Sequence, residues 1–362
     1  MQDTIKFVGL DVHAQQTRAV VLDPVTGELF TRRVKSPPVR VIDFLVQLGP
    51  GVKAVYEAGP TGFDLARAGR ERGLDVRVCA PGLIPRKPTD RVKTDRRDAE
   101  RLARLLAAGE LTLVRVPSEE EEQIRDLVRA REDVREDLMR ARHRLTKFLL
   151  RRGVRYEGQG SNWHQEHMRW LTRRVRFSDP ASMATFDDYL AAVEALLERR
   201  SALERTLAEV APASPFAETI RRLCCFRGIS LVTATGVCAE VGDFGRFSHP
   251  AKLAGYLGLV PSEHTSGERR RQGAITKAGS VHARRLLIET AWHTRHRPRI
   301  SEELKRRQSG QDPRVCQVAW RAQRRLYARW QKLTDQGRHP GVIAVACARE
   351  HTAFLWEAAL LP

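Results

Sequence analysis

The chain has little cysteine, few aromatic residues and no long apolar run, and each shortage closes off a class of protein. Its 362 residues include six cysteines, at positions 79, 224, 225, 238, 316 and 347. None forms a C-x-x-C pair, and His293 with His296 has no cysteine close in sequence. That pattern offers no zinc ligand set and no disulfide framework, so reduced thiols in a cytosol are the expected state. No stretch approaches the about eighteen consecutive apolar residues that a membrane-spanning helix needs. The opening residues MQDTIKFVGLDVH put an aspartate before a short apolar run, which does not read as a secretory signal. Positive charge, by contrast, is abundant. Lys and Arg number 63 against 44 Asp and Glu, a formal net charge of +19, and basic runs recur in every section. With 42% apolar residues the chain has enough to build a core. A long, folded, strongly basic chain is expected to meet a polyanion, here nucleic acid.

Residues 1–117 read as an α/β domain. Ile5 to Leu10, Thr17 to Leu22 and Leu29 to Val34 are β-rich, and DPVTGE between the last two is a turn signal. Helices are expected over Val41 to Leu48 and Phe63 to Arg72, with strands over Val52 to Tyr56 and Leu74 to Cys79. Three strands followed by alternating helices and strands give a mixed sheet with helices on its faces. Asp11 and Glu57 fall at strand ends, where α/β folds place active sites. Downstream, VKTDRRDAERLARLL sets Asp95 and Asp98 three residues apart on one face of a helix, backed by Leu102, Leu105 and Leu106. Four carboxylates brought together repel unless cations join them. Magnesium or manganese, which favour oxygen ligands, are the expected occupants, and Lys93, Arg96 and Arg97 suit a neighbouring phosphate. Two ions about 3.5–4 Å apart would stabilise both oxygens of a phosphoryl transfer.

The motifs GLDVH, YEAGPTG and KTDRRDA, in that order, resemble the RuvC-like (RNase H-fold) domain of the DEDD transposases, the insertion-sequence 110 family with its 1111 relatives. The resemblance implies that Asp11, Glu57, Asp95 and Asp98 are the D-E-D-D metal ligands.

In residues 118–212 two apolar seams stand out. One runs through Ile124, Leu127, Val134, Leu138, Ala141, Leu145 and Phe148, interrupted by Arg131. The other runs through Tyr189, Val193, Leu196, Leu203, Leu207 and Val210, interrupted by Arg200. They can pair with each other as an antiparallel hairpin, pair with another subunit as a coiled coil, or join an ordinary bundle. Arg140, Arg142, Arg144, Arg151 and Arg152 on the outer faces are spaced to meet phosphates. Trp163 and Trp170, seven apart, are expected to share one helix face, with core packing favoured over stacking on bases.

Residues 213–362 read as mainly helical. LCCFRGISLVTATGVCAEVGD has a helix–hairpin–helix outline whose turn at Gly228 can offer N–H groups to a phosphate, although Ser230 replaces the usual second glycine. Leu253, Tyr256, Leu257 and Leu259 suggest a buried helix ended by Pro261, then SEHTSGERRRQGAI is a polar loop. Ser266-Gly267 there could present a hydroxyl to a phosphodiester, with Arg269, Arg270, Arg271 and Lys277 to neutralise developing charge. From the residues alone a Ser-Gly in a loop is an ordinary turn. The pattern G-L-V-P…S-G…G-A-I-T-K-A-G…A-R-R is, however, similar to the transposase-domain signature of the same family, and the resemblance implies that Ser266 is a covalent nucleophile.

Taken together, the resemblance implies a transposase that excises and inserts its own element. It also implies magnesium or manganese at the carboxylates, donor and target DNA as substrates, a guide (bridge) RNA and a homo-oligomer, dimer or tetramer, in the bacterial cytosol. Two other readings stay open: a structure-selective nuclease that uses water at the four carboxylates, and a non-catalytic nucleic-acid-binding protein.

Overall fold

The computed structural model describes residues 5–85, 94–160, 162–263 and 272–362. The chain divides into two compact units, Met1–Ser118 and Glu119–Pro362.

The first unit is built on five strands. These are β1 (Phe7–Val12), β2 (Gln16–Leu22), β3 (Leu29–Lys35), β4 (Lys53–Glu57) and β5 (Asp75–Cys79), in the sheet order β3-β2-β1-β4-β5. β1, β2 and β3 run antiparallel, while β4 and β5 run parallel to β1. The meander turns where Asp23 Oδ1 accepts the Val25 N–H at 2.9 Å and Gly27 takes a φ of +74°. Three helices cover the sheet: α1 (Pro38–Gln47), α2 (Asp64–Glu71) and α3 (Asp95–Ala108). Pro38 belongs to the first turn of α1, where its missing N–H costs nothing, so the helix starts earlier than the expected Val41.

Alternation along the strands sends side chains to two different cores. Val8, Leu10, Ala54 and Tyr56 join Val41, Ile42, Leu45 and Leu65 of α1 and α2 on one face. Val55 and Cys79 meet Leu102 and Leu106 of α3 on the other. Thr94 caps α3, its hydroxyl accepting the Arg97 N–H at 3.4 Å.

Among the described residues, the second unit is helical apart from one antiparallel pair of strands. α4 (Glu119–Arg151), α5 (Gln165–Arg174) and α6 (Pro180–Val210) come first. They are followed by α7 (Ala217–Cys224), α8 (Leu231–Val241), α9 (Pro250–Tyr256), β6 (Pro261–Glu263), β7 (Gln272–Ile275), α10 (Val281–Ala291), α11 (Glu302–Gln308), α12 (Pro313–Asp335) and α13 (Pro340–Ala359). α4 packs along α6 of the same chain, so the two seams meet as an intrachain pair. Leu138, Leu145 and Phe148 lie against Phe186, Leu190 and Val193, and Leu171 of α5 closes that core. The arginines that interrupt the seams share one partner. Arg131 donates to Glu204 from Nε at 2.9 Å, and Arg200 Nε lies 3.8 Å from the same carboxylate. A larger core gathers residues of α7 to α10, α12 and α13, among them Ile220, Ala234, Leu253, Leu286, Ala319 and Ala348.

Four local expectations are corrected. Trp163 precedes α5 and takes a φ of 74°, so it shares no helix face with Trp170. The stretch expected to be a polar loop begins and ends in strands, with Pro261 opposite Ile275 and Glu263 opposite Gln272. The segment KRRQ, expected in a loop, lies in α11, started by the Ser301 cap on the Leu304 N–H. Tyr256, expected in the core, is 37% exposed; its ring faces the Arg246 guanidinium and its hydroxyl donates to the Glu240 carbonyl.

Candidate active site

The acidic site of the first unit depends on a missing side chain. A Cβ at Gly9 would fall 1.8 Å from the Ala99 carbonyl oxygen and 2.7 Å from the Ala103 nitrogen. Glycine therefore lets α3 lie directly on β1. Asp11, two residues along, projects to the same face, and α3 arrives with Asp95 and Asp98 in its first turn. The carboxylates crowd as a result. Burial raises the Asp11 carboxyl above its ordinary value, the charges of Asp95 and Asp98 push the same way, and only His13 opposes them. Asp98 is 14% exposed and lies 3.5 Å from Arg101, while Asp95 is open to solvent. Glu57 lies one strand away, one position past the Leu10–Tyr56 pair of the parallel β1–β4 register. Its charge, after burial, helps push the Cys79 thiol up to about 12.

His13 completes the centre. Its Nε2 is 3.1 Å from Asp11 Oδ2 and 4.0 Å from Asp95 Oδ2. Asp11, His13 and Asp95 each offer one ligand atom within 4.8 Å of the others. Two carboxylates and an imidazole, with a third carboxylate whose charge reaches Asp11, form a donor set that fits a divalent cation. A groove of about 450 Å³ opens beside them, lined by His13, Gln15, Gln16, Arg18, Arg33 and Asp95. Arg18 stands opposite Asp11 in the β1–β2 register, and Arg33 opposite Arg18 in the β2–β3 register. The two guanidinium groups thus share the carboxylates' face and suit a polyanionic strand lying across it.

In the second unit the hairpin β6–β7 is held from below. Gly258 and Gly279 both take a φ of +66°, and a Cβ at Gly279 would fall 1.9 Å from the Tyr256 carbonyl oxygen. Arg284, 7% exposed, donates to the Leu257 carbonyl at 3.0 Å and to the Ala278 carbonyl at 2.7 Å. That buried guanidinium ties the end of α9 to the segment entering α10. Beneath lies an ion network joining α4, α8 and α10. Glu240 takes two bonds from Arg129, and Glu132 is bonded by Arg135 and Arg285. His282 sits between them, 3.5 Å from Glu132 and 3.8 Å from Glu240.

Comparison with known proteins decides the family. A model described as "Transposase", of the IS110 DEDD type, matches residues 8–152, and the "Transposase IS116/IS110/IS902 family" model matches residues 220–308. The putative transposase y4qE of Sinorhizobium fredii is 43% identical over 98% of this chain and 88% of its own length. The chain belongs to the IS116/IS110/IS902 transposase family. The transposase for insertion sequence element IS1533 of Leptospira borgpetersenii is 32% identical over 90% of this chain and 96% of its own. The transposase for IS1111A of Coxiella burnetii is 25% identical over 79% of this chain. The protein is accordingly a DNA transposase, an enzyme of DNA recombination with DNA as substrate.

Within this transposase the expected residues fare differently. Asp11, Asp95 and Asp98 come together, and Glu57 occupies the adjacent strand end on the same sheet face. Arg96 and Arg97 are exposed on the first turn of α3. Gly228 holds the α7–α8 turn with a φ of +81°, where a Cβ would fall 2.7 Å from the His293 ring, and Ser230 caps α8. Lys277 takes a φ of 57° just after β7, its N–H bonded to the Gly258 carbonyl. Lys93, Ser266, Arg269, Arg270 and Arg271 lie outside the described residues. His13, Arg18 and Arg33 were missed by sequence reasoning. His13 was within reach, since it follows Asp11 by two residues, just past the end of β1. The two arginines could be found only from the strand register. No helix among the described residues is long and apolar enough to cross a membrane.

Proposed function

We propose that this transposase cuts and rejoins DNA through a serine nucleophile assisted by a divalent cation at a RuvC-like carboxylate centre. The observation that carries the reading is the convergence of Asp11, Asp95 and Asp98, with His13, on the α3 face of the sheet. Asp11 and Asp95 would hold magnesium or manganese with His13, and Asp98 and Glu57 would complete the charge around it. The cation, when bound, supplies positive charge against the non-bridging phosphate oxygens. Arg18 and Arg33 keep the DNA strand along the groove, and Asp11, raised by burial and by its neighbours, is relieved by any cation that arrives.

Ser266 is assigned the covalent role. Its Oγ forms a bond to a DNA phosphorus as one bridging P–O bond of the strand breaks. The serine proton leaves, and the departing oxygen gains one as a free hydroxyl. One phosphate ester replaces another, so the bond energy is kept for rejoining and strand exchange can proceed to a Holliday junction without an external energy source. Arg269, Arg270, Arg271 and Lys277 would balance charge on the phosphorus. The family resemblance further supports a guide RNA that pairs with donor and target DNA while the protein holds backbone and shape, in a homo-oligomer within the bacterial cytosol.

The test is a suicide DNA substrate carrying the element's end, incubated with protein and magnesium and resolved under denaturing conditions. The proposal expects a protein–DNA adduct in the wild type and none in Ser266→Ala or Asp11→Ala. Cleavage by Ser266→Ala at the wild-type rate would instead establish water as the nucleophile. RNA copurifying with the wild type, sequenced and compared with the element's noncoding ends, tests the guide.

A further inference from the structure

The helical insert of the second unit contains a second basic site. A pocket of about 270 Å³ lies between α4 and α6, lined by Arg135, Leu138, Met139, Arg142, His143, Trp163 and Arg200. Three guanidinium groups and an imidazole therefore face one small volume. Two of the three have acidic neighbours: Arg135 pairs with Glu132 and Glu136, and Arg200 lies 3.8 Å from Glu204. Arg142 has no carboxylate partner among the described residues, and its guanidinium stacks on the Trp163 ring at 5.0 Å. The Nε atoms of both Arg142 and Arg200 are shut off from solvent with no hydrogen-bond acceptor. These unpaired donors add to the positive charge that the pocket presents to an anion. Burial and the charge of Arg200 both act to lower the Arg142 pKa, so an anion here would relieve desolvation and repulsion together.

The backbone supplies a second, separate observation. Trp163 is held at a φ of 74°, a conformation that a bulky residue rarely adopts. Its N–H donates to His167 Nδ1 at 3.2 Å, and His167 is itself buried. The strained residue is thereby fixed with its ring against Arg142. Strain of this kind persists where the surroundings over-determine it, and it gathers at binding sites. The indole occupies one face of the guanidinium.

We infer that this pocket binds a phosphodiester group of a nucleic-acid strand, with Arg142 and Arg200 as the donors and Trp163 as the wall that orients Arg142. The inference rests on the protein's being a DNA transposase, and it assigns the insert a grip on the strand independent of the carboxylates and of Ser266. Met139, 44% exposed at the same pocket, gives the bound strand an apolar surface beside the charges.

The test reads binding alone. The full-length protein, in EDTA so that no strand is cut, is titrated by fluorescence anisotropy with labelled single-stranded RNA and with labelled duplex DNA over a salt series. The Arg142→Gln/Arg200→Gln double variant is expected to lose about tenfold in affinity for the strand that the pocket holds. The slope of log affinity against log salt should fall by about 0.9 per lost contact on duplex DNA, or about 0.7 on a single strand. Loss confined to RNA, or confined to DNA, supports the site and names its occupant. Unchanged affinity and slope on both would overturn it, as would a loss of affinity without a change in slope, because a merely structural arginine carries no counterion signature. Should the double variant fail to fold, Met139→Glu alters only an exposed side chain at the pocket. It is expected to weaken binding through a carboxylate set against the phosphate, and wild-type affinity in that variant would equally overturn the assignment. None of these outcomes depends on Ser266 or on cleavage.

Discussion

Two clusters of carboxylates in this protein are built on opposite principles. Glu240 and Glu132 are deep in the second unit, their side chains 6% and 11% exposed, yet each is matched by arginines from other helices. Burial works to raise the Glu240 carboxyl, but bonds from His282 and Arg129 outweigh it and hold it at about 2. Asp11 is less buried, at 24% exposed, yet its carboxyl is raised, by burial first and then by the charges of Asp95 and Asp98, with only His13 acting against them. Burial raises both carboxyls, and the partners decide which of the two is brought back down. A carboxylate supplied with its own arginines is complete and structural. Asp11 and Asp95, with His13 between them, form instead a donor set that fits a cation.

The sharpest way to break this contrast is to remove one acid from each cluster. Asp95→Ala should lower recombination by more than about 100-fold, beyond what loss of a metal's outer partner costs, while its melting temperature holds or rises as repulsion is relieved. A melting temperature that falls steeply would place Asp95 with the structural acids. Glu240→Gln should do the reverse, costing about 1–3 kcal/mol in urea unfolding because charge-assisted bonds to a buried group are lost while Arg129, 56% exposed, keeps its solvent. Stability close to wild type in that variant would count against a structural network. The pH response sharpens the same point. Glu240's folded value lies below its ordinary 4.5, so its contribution is present above that pH and lost as pH falls toward about 2. Asp11's folded value is raised, so its ionisation costs stability above that value and acid relieves the cost. A calorimetric acid series should accordingly show the second unit failing first.

A smaller effect is expected from the cation alone. At neutral pH, magnesium or manganese at about 100 times its dissociation constant should stabilise the first unit by about 2.7 kcal/mol, and the shift should vanish in Asp11→Ala. An equal shift in that variant would place the ion elsewhere. The smallest effect belongs to Arg33→Gln. One exposed phosphate contact fewer should weaken DNA binding a few-fold and flatten its salt dependence by about 0.9, read by anisotropy.

Much of the first unit was legible because its signals are local. Strand alternation, the DPVTGE turn and the Asp95–Asp98 spacing are each contained within a few residues, and the structure has all three. The two seams were legible in the same way, with Arg131 and Arg200 marking the level at which they meet. What was not legible depends on distant pairings. Glu132 meets Arg285 and Glu240 meets Arg129 across more than a hundred residues, and no period in the sequence connects them. Arg18 and Arg33 become neighbours of Asp11 only when the strands are in register. The strands β6 and β7, three and four residues long, are too short for alternation to register. Trp163 misled for a different reason. Seven-residue spacing implies a shared face only if the helix spans both positions, and α5, capped by His164, begins at Gln165, two residues after Trp163.

Gly9 has a bearing on how sequence variation in this protein should be interpreted. It has no charge, no hydrogen-bonding side chain and no place in a list of catalytic residues, yet the distance between a strand and a helix is set by the atoms it lacks. That distance has no rotamer to adjust it and no flexible tip to yield. Any side chain at position 9 would shift α3 as a rigid rod, carrying both of its aspartates away from Asp11. A survey that ranks positions by chemical reactivity would pass over it, whereas one that scores transposition for every substitution should find position 9 as intolerant as the acids themselves.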